Sequence, residues 1–169
     1  MAVPPVDPAL RAALATDGPA IARLYNHFVT HTTVSFEEVP VTDAVMAARI
    51  AEVQSVPLPW LLAECDGALV GYAYATRWRV RSAYRYAVEV SVYVDPAYSR
   101  RGIGSRLYAA LFAELRGLGM HTAIGGIVLP NVASVALHEK HGFRKVAHFS
   151  DVGFKFDRWI DVGYWQRAL

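Results

Sequence analysis

The valines of Val88, Val90, Val92 and Val94 alternate with Glu89, Ser91 and Tyr93, a period of two that predicts a strand over Tyr86–Val94. A second rhythm follows at once. Leu107, Leu111, Leu115 and Leu118 recur every three or four residues and predict a helix over Gly104–Leu118 with one apolar face. The same helical spacing links Ile21, Leu24, Tyr25 and Phe28, after a start signal at Thr16-Asp17-Gly18-Pro19. Leu10–Leu14 reads as a short first strand, and Thr42 or Asp43 caps a second helix running to about Val53. Pro59–Cys65 and Ala68–Ala75 flank Asp66-Gly67 and form a hairpin signal. Thr122–Leu129 reads as a buried strand. Pro130-Asn131 leads into a helix ending near His141-Gly142, and Arg144–Asp151 and Phe154–Gln166 read as two last strands. The order β-α-α-β-β-β-α-β-α-β-β predicts an α/β protein with a mixed sheet, in one domain spanning residues 1–169.

Composition narrows the classes. The 169 residues are 54% hydrophobic and carry a net charge of +2, which suits a globular core and gives no global field for nucleic acid. Cys65 is the single cysteine, so no internal disulfide forms, and within an apolar strand it reads as a small buried residue. No apolar run approaches the ~20 residues of a membrane span, and Met1–Asp7 does not resemble a signal peptide. A cytoplasmic protein without membrane or nucleic-acid partners is expected.

Between strand and helix lies Ser99-Arg100-Arg101-Gly102-Ile103-Gly104-Ser105. A Gly-rich turn into a helix N-terminus offers free N–H groups and a positive dipole end, an anion site. Two nucleotide loops fail here. Ser105-Arg106 follows Gly104 where a triphosphate loop needs Lys-Ser/Thr, and Leu107 stands where a dinucleotide fingerprint needs its third glycine or alanine.

The turn instead resembles the pyrophosphate loop Gln/Arg-x-x-Gly-x-Gly/Ala of the GNAT acyl-CoA N-acyltransferases, with Ser99 at the first position. A second GNAT signature, Asn-x-x-Ala/Ser-x-x-Leu-Tyr-x-Lys-x-Gly-Phe, is matched by Asn131–Phe143 with His138 in place of tyrosine. Further segments narrow the likeness: Tyr25-Asn26-His27, Ala83-Tyr84, Ser91–Val94, Leu129-Pro130-Asn131, Gly153-Phe154-Lys155 and Asp161–Gln166. Over roughly Leu10 to Leu169 the chain is similar to the phosphinothricin and methionine sulfoximine N-acetyltransferases.

That resemblance implies a mostly antiparallel mixed sheet flanked by helices, acetyl-CoA as co-substrate, a small-molecule amine as acceptor and a homodimer. It implies Glu89 as general base and His138 as second base or as the acid that protonates the departing sulfur. For the cofactor it implies the backbone of Val92, Tyr93 and Val94, the loop residues Arg100, Arg101, Gly102, Ile103, Gly104 and Ser105, and Asn131 and Ser134. Arg101 and Arg100 would make good the charge absent at Ser99. For the acceptor it implies Arg81 and Tyr84, with Arg79, Ser82, Ala83, Phe36 and Trp78 around them, and Lys155 and Trp159 as weaker candidates. A guanidinium grips a carboxylate or phosphinate through two hydrogen bonds. No metal site is expected, since His138 and His141 are spaced three apart rather than four. Tyr25, Phe28, Phe112 and Phe143 are expected in the core, and Trp165 at the sheet or a dimer contact.

Overall fold

The structure is a computed structural model that describes residues 6–169. Among them, seven strands form one sheet in the order β1-β2-β3-β4-β5-β7-β6. The strands are β1 (Ala9–Ala12), β2 (Trp60–Cys65), β3 (Ala68–Arg77), β4 (Ala87–Val94), β5 (Thr122–Leu129), β6 (Arg144–Lys155) and β7 (Arg158–Ala168). The helices are α1 (Gly18–His31), α2 (Asp43–Ser55), α3 (Ile103–Gly117) and α4 (Val132–Lys140). Only β4 and β5 pair in parallel; the other neighbours are antiparallel. No helix among the described residues is long and apolar enough to cross a membrane.

The alternation in β4 sends its side chains to two different layers. On one face Tyr93 packs edge-on against Tyr25 of α1, with ring centroids 5.2 Å apart. On the other, Val94 approaches the start of α3 at Gly104. α3 buries Ile103, Leu107, Tyr108, Leu111, Phe112 and Leu115, so its apolar face is the one the sequence predicts. Leu118 is the exception: the helix has ended there and the side chain is 41% exposed. Phe28 is half-buried beside Tyr93 rather than enclosed in the core. Trp165 and Cys65 are both buried. Thr42 caps α2 by accepting from the Val45 N–H.

The last hairpin differs from expectation. Gly153 reads as a turn residue, yet it lies within β6 opposite Ile160. It is a glycine because the ring of Phe36 occupies the space a Cβ would need. The strand absorbs an irregularity between Phe149 and Gly153, where Asp151 has φ 51°. The turn itself is Phe156-Asp157, between the paired Lys155 and Arg158, with φ 53° and 56°. Both central positions are left-handed, as in a type I′ hairpin, but neither is glycine or asparagine. The first hairpin, Asp66-Gly67, has the same handedness with the expected residues.

Left-handed backbone strains a residue bearing a Cβ. Replacing Phe156-Asp157 by Asn-Gly should therefore stabilise the fold, by about 0.5–1 kcal/mol after the entropic cost of the added glycine. Urea unfolding checks this, and an unchanged or lower midpoint would count against strain in the turn.

Candidate active site

β4 and β5 pair at three positions, Ala87–Thr122, Val88–Ala123 and Glu89–Ile124, and then part. β4 stays joined to β3 as far as Val94, opposite Gly71. From Val90 to Val94 the backbone groups that would face β5 therefore have no strand partner. Two glycines lie on β5 at the opening and face opposite sides. A Cβ on Gly125 would sit 2.5 Å from Nε2 of His138. One on Gly126 would approach Oε1 of Glu89 at 3.3 Å and Tyr164 at 3.2 Å. Side-chain-free backbone at this point lets catalytic candidates come close from both layers.

On the α3 side, the helix opens at Gly102, whose φ of 85° favours glycine, after Arg100 at φ 62°. No side chain caps the helix. The first N–H paired within it is that of Arg106, bonded to the Gly102 carbonyl, so among the described residues the N–H groups of Ile103, Gly104 and Ser105 have no partner, an arrangement that suits an anion. Gly104 is needed for packing: a Cβ there would meet Leu137 of α4 at 3.1 Å. The Arg101 guanidinium lies over the Tyr98 ring, 5.3 Å from its centre, and its buried Nε has no partner among the described residues. Arg100 is exposed. The Ser105 hydroxyl is held by Nε2 of His141 at 2.9 Å, leaving its backbone as the group on offer. A free helix N-terminus, an unpartnered arginine donor and an open strand edge fit a pyrophosphate with an extended amide-bearing arm.

α4 closes the opening. Asn131 caps it, its Oδ1 accepting from the Ser134 N–H at 3.1 Å, which turns the carbonyl side of that amide to the helix. His138 is 3% exposed. Its Nδ1 lies 2.8 Å from the Ser134 carbonyl, and a carbonyl only accepts, so Nδ1 carries the proton. Nε2 then accepts from the hydroxyl of Tyr108 at 3.0 Å. Burial pushes His138 below the usual histidine range, against the Ser134 bond, which raises it. Burial raises Tyr108 far above the usual phenol range. Tyr108, His138, Asn131, Ser134, Val92 and Tyr93 line a small cavity of about 60 Å³ in the gap.

The opposite side holds a cleft of about 940 Å³. It contains Glu89, Ser91 and Tyr93, the polar face of β4, and it meets the small cavity along Val34, Ser91, Tyr93, Gly126 and Val128. Burial raises the Glu89 carboxyl above the ordinary carboxylate range, and the charge of Arg79 partly opposes this. Arg79 makes no ion pair among the described residues and lies over the Trp78 ring at 4.1 Å. Glu37 is paired with Arg49 at 2.7 Å.

Phe36, Trp78 and Arg79 therefore line the cleft, with Arg79, the less favoured arginine, in it. Arg81, Ser82, Ala83 and Tyr84 do not line it; they form an exposed turn beyond it. Trp159 is 64% exposed against Phe154 and lies outside. Lys155 is buried and also points elsewhere. Tyr164, Phe149 and Tyr108 join the site without having been expected there. The Gly125-Gly126 pair inside a strand was the available signal for Tyr164 and His138; nothing local marks Phe149.

The split strand, the uncapped helix start and the half-buried carboxylate are the parts an acyl-CoA transferase needs. Residues 10–163 match the family described as acetyltransferase (GNAT) domain. The chain is 46% identical over 154 residues to the phosphinothricin N-acetyltransferase of Alcaligenes faecalis, covering 90% of this chain and 78% of that protein. It is 38% identical to the L-methionine sulfoximine/L-methionine sulfone acetyltransferase of Salmonella typhimurium, over 95% of this chain and 94% of the other. A phosphinothricin acetyltransferase from Sinorhizobium meliloti, solved in complex with acetyl-CoA, superposes with a TM-score of 0.93 at 35% identity, over 97% of this chain and 89% of that one. The chain belongs to the GNAT family and is an acetyl-CoA-dependent N-acetyltransferase.

Tyr108→Phe would leave Nε2 of His138 a buried acceptor with no donor. A cost of about 1–3 kcal/mol is expected. Chemical denaturation of the variant measures it, and a loss below the error of the method would mean that water or another donor replaces the phenol.

Proposed function

We propose that the chain acetylates the α-amino group of small amino-acid analogues of the phosphinothricin, methionine sulfoximine or methionine sulfone type, by direct attack with both substrates bound. The observation that carries this reading is Glu89. It is half-buried in the acceptor cleft, beside the one gap that joins that cleft to the cofactor side. The named activities of the relatives support the acceptor class.

Acetyl-CoA bound across α3 and β4 supplies the activated acetyl group. Arg101 to Ser105 bind its pyrophosphate, and the unpaired backbone of Val92, Tyr93 and Val94 aligns the arm and offers N–H donors to the carbonyl. Arg79 pairs with the acidic group of the acceptor, between Trp78 and Phe36. Glu89 takes a proton from the amine, directly or through one water, as the new C–N bond forms and the C–S bond breaks; CoA leaves as the thiolate, which takes its proton from solvent. His138, neutral with Nε2 turned to Tyr108, fits a second base acting through that hydroxyl better than an acid, because burial disfavours its protonated form. Arg81 and Tyr84 extend the acceptor site if their exposed turn folds over the cleft. Loss of the amine's charge would make the reaction a detoxification in the cytoplasm.

Thiol release with acetyl-CoA and a panel of phosphinothricin, methionine sulfoximine, methionine sulfone, polyamines and peptides tests the reading. Turnover confined to the cationic acceptors would overturn it. Glu89→Gln should lower kcat by about 10²–10⁴-fold with little change in the KM for acetyl-CoA. The wild-type rate should fall as pH drops through the folded Glu89 pKa, since the base must be ionised. Burial sets that limb above the ordinary carboxylate range, and the Glu89→Gln substitution should abolish it.

A homodimer belongs to the same reading. β6 is an edge strand, and Val146, Phe149, Val152, Phe154, Phe156 and nearby Trp159 are each at least half exposed. Light scattering should return twice the 18.6 kDa chain mass, and Phe149→Asp should shift it toward one; a monomeric wild type would remove the dimer.

A further inference from the structure

The cleft wall is held by a buried cation. Lys155 is 2% exposed, and its ammonium donates to three backbone carbonyls: Val29 at 2.7 Å, Ser35 at 2.7 Å and Glu37 at 2.8 Å. Three donors meet three acceptors, so the charged form is fully satisfied without a carboxylate. Val29 lies in the last turn of α1, where carbonyls lack helical partners and the dipole end is negative. Lys155 therefore caps α1 and at the same time clamps both sides of Phe36.

Phe36 itself rests on Gly153, two residues before Lys155 on the same face of β6. Any side chain at 153 would displace its ring. Ser35 is pinned from the other side, its hydroxyl bonded to Tyr25 at 2.7 Å and accepting from the Glu37 N–H at 3.1 Å. The segment linking α1 to α2 has no helix or strand between Thr32 and Thr42; apart from Lys155 and the Ser35 hydroxyl it is tied at Val41, by both amide atoms of Asn26, and at Glu37, by Arg49.

We propose that Lys155 and Gly153 are positioning residues that seat Phe36 over the acceptor cleft and thereby set acceptor affinity. The proposal rests on the acceptor reading above. It gives Lys155 no contact with substrate: its effect passes through the carbonyls of Ser35 and Glu37. Because Phe36 lies in the acceptor cleft and away from the α3 loop, the two substrates should respond differently.

Steady-state kinetics of Lys155→Met and Gly153→Ala test this. Each should raise the acceptor KM by about tenfold or more, the scale of a misfitted apolar wall, while the acetyl-CoA KM stays within about twofold. Lys155→Arg, which keeps the charge but not the three-way geometry, should fall between. Equal losses toward both substrates would mark a merely structural lysine and overturn the proposal, as would an unchanged acceptor KM. If Lys155→Met does not fold, Gly153→Ala decides, since the 41% exposed Phe36 can move without unfolding the core. If the wild type acetylates no acceptor in the panel, the acceptor reading fails by itself. Amide exchange at residues 33–38 then decides the seating: faster exchange confined to that segment in Lys155→Met upholds it, and unchanged exchange refutes it.

Discussion

The parting of β4 from β5 after Glu89 is the constraint on which the rest of the structure depends. Two parallel strands that stayed paired to their ends would close the sheet and leave no passage between its faces. Here the pairing stops after three residues, and a row of backbone groups on β4 is left to find partners outside the protein. The elements around the gap answer that opening. α3 starts beside it with free N–H groups, α4 lays His138 against Gly125, and β7 brings Tyr164 to Gly126. A cofactor arm that behaves like a strand would satisfy that edge and be aligned by it.

Burial acts in opposite directions on the two ionisable groups at the gap. It raises the Glu89 carboxyl and lowers His138, because in each case the charged form loses water. A carboxylate made more basic and an imidazole kept neutral suit proton removal from an ammonium near neutral pH. No metal is needed to tune either group, and the charge of Arg79 moderates the first.

Those parts of the molecule governed by local rules were legible in the sequence. Asp66-Gly67 announced its hairpin through backbone chemistry, and the valine alternation of β4 put Glu89 on a face of its own. Phe156-Asp157 was hidden because its left-handed turn carries neither glycine nor asparagine, and the break expected between Asp151 and Phe154 falls inside β6, where Gly153 makes room for the ring of Phe36. The resemblance favoured Arg81 over Arg79 in a run of arginines; the fold places Arg79 in the cleft and Arg81 at the exposed Ser82–Tyr84 turn. Tyr108 stood unmarked beside the leucine stripe; it is buried, with a hydroxyl whose partner lies thirty residues away. Lys155 looked like a pocket lysine because nothing in sequence spacing shows three carbonyls converging from α1 and the loop after it.

Gly125 and Gly126 carry a consequence for how such a protein can diverge. At these two positions β5 has no side chain to vary, and any Cβ added there would crowd His138 on one side or Glu89 and Tyr164 on the other. The chemistry is thereby insulated from drift. Phe36, Trp78 and the β6–β7 wall are contributed by loops and edges, where substitutions meet less resistance. The walls of the cleft can therefore change while the paired glycines stay fixed.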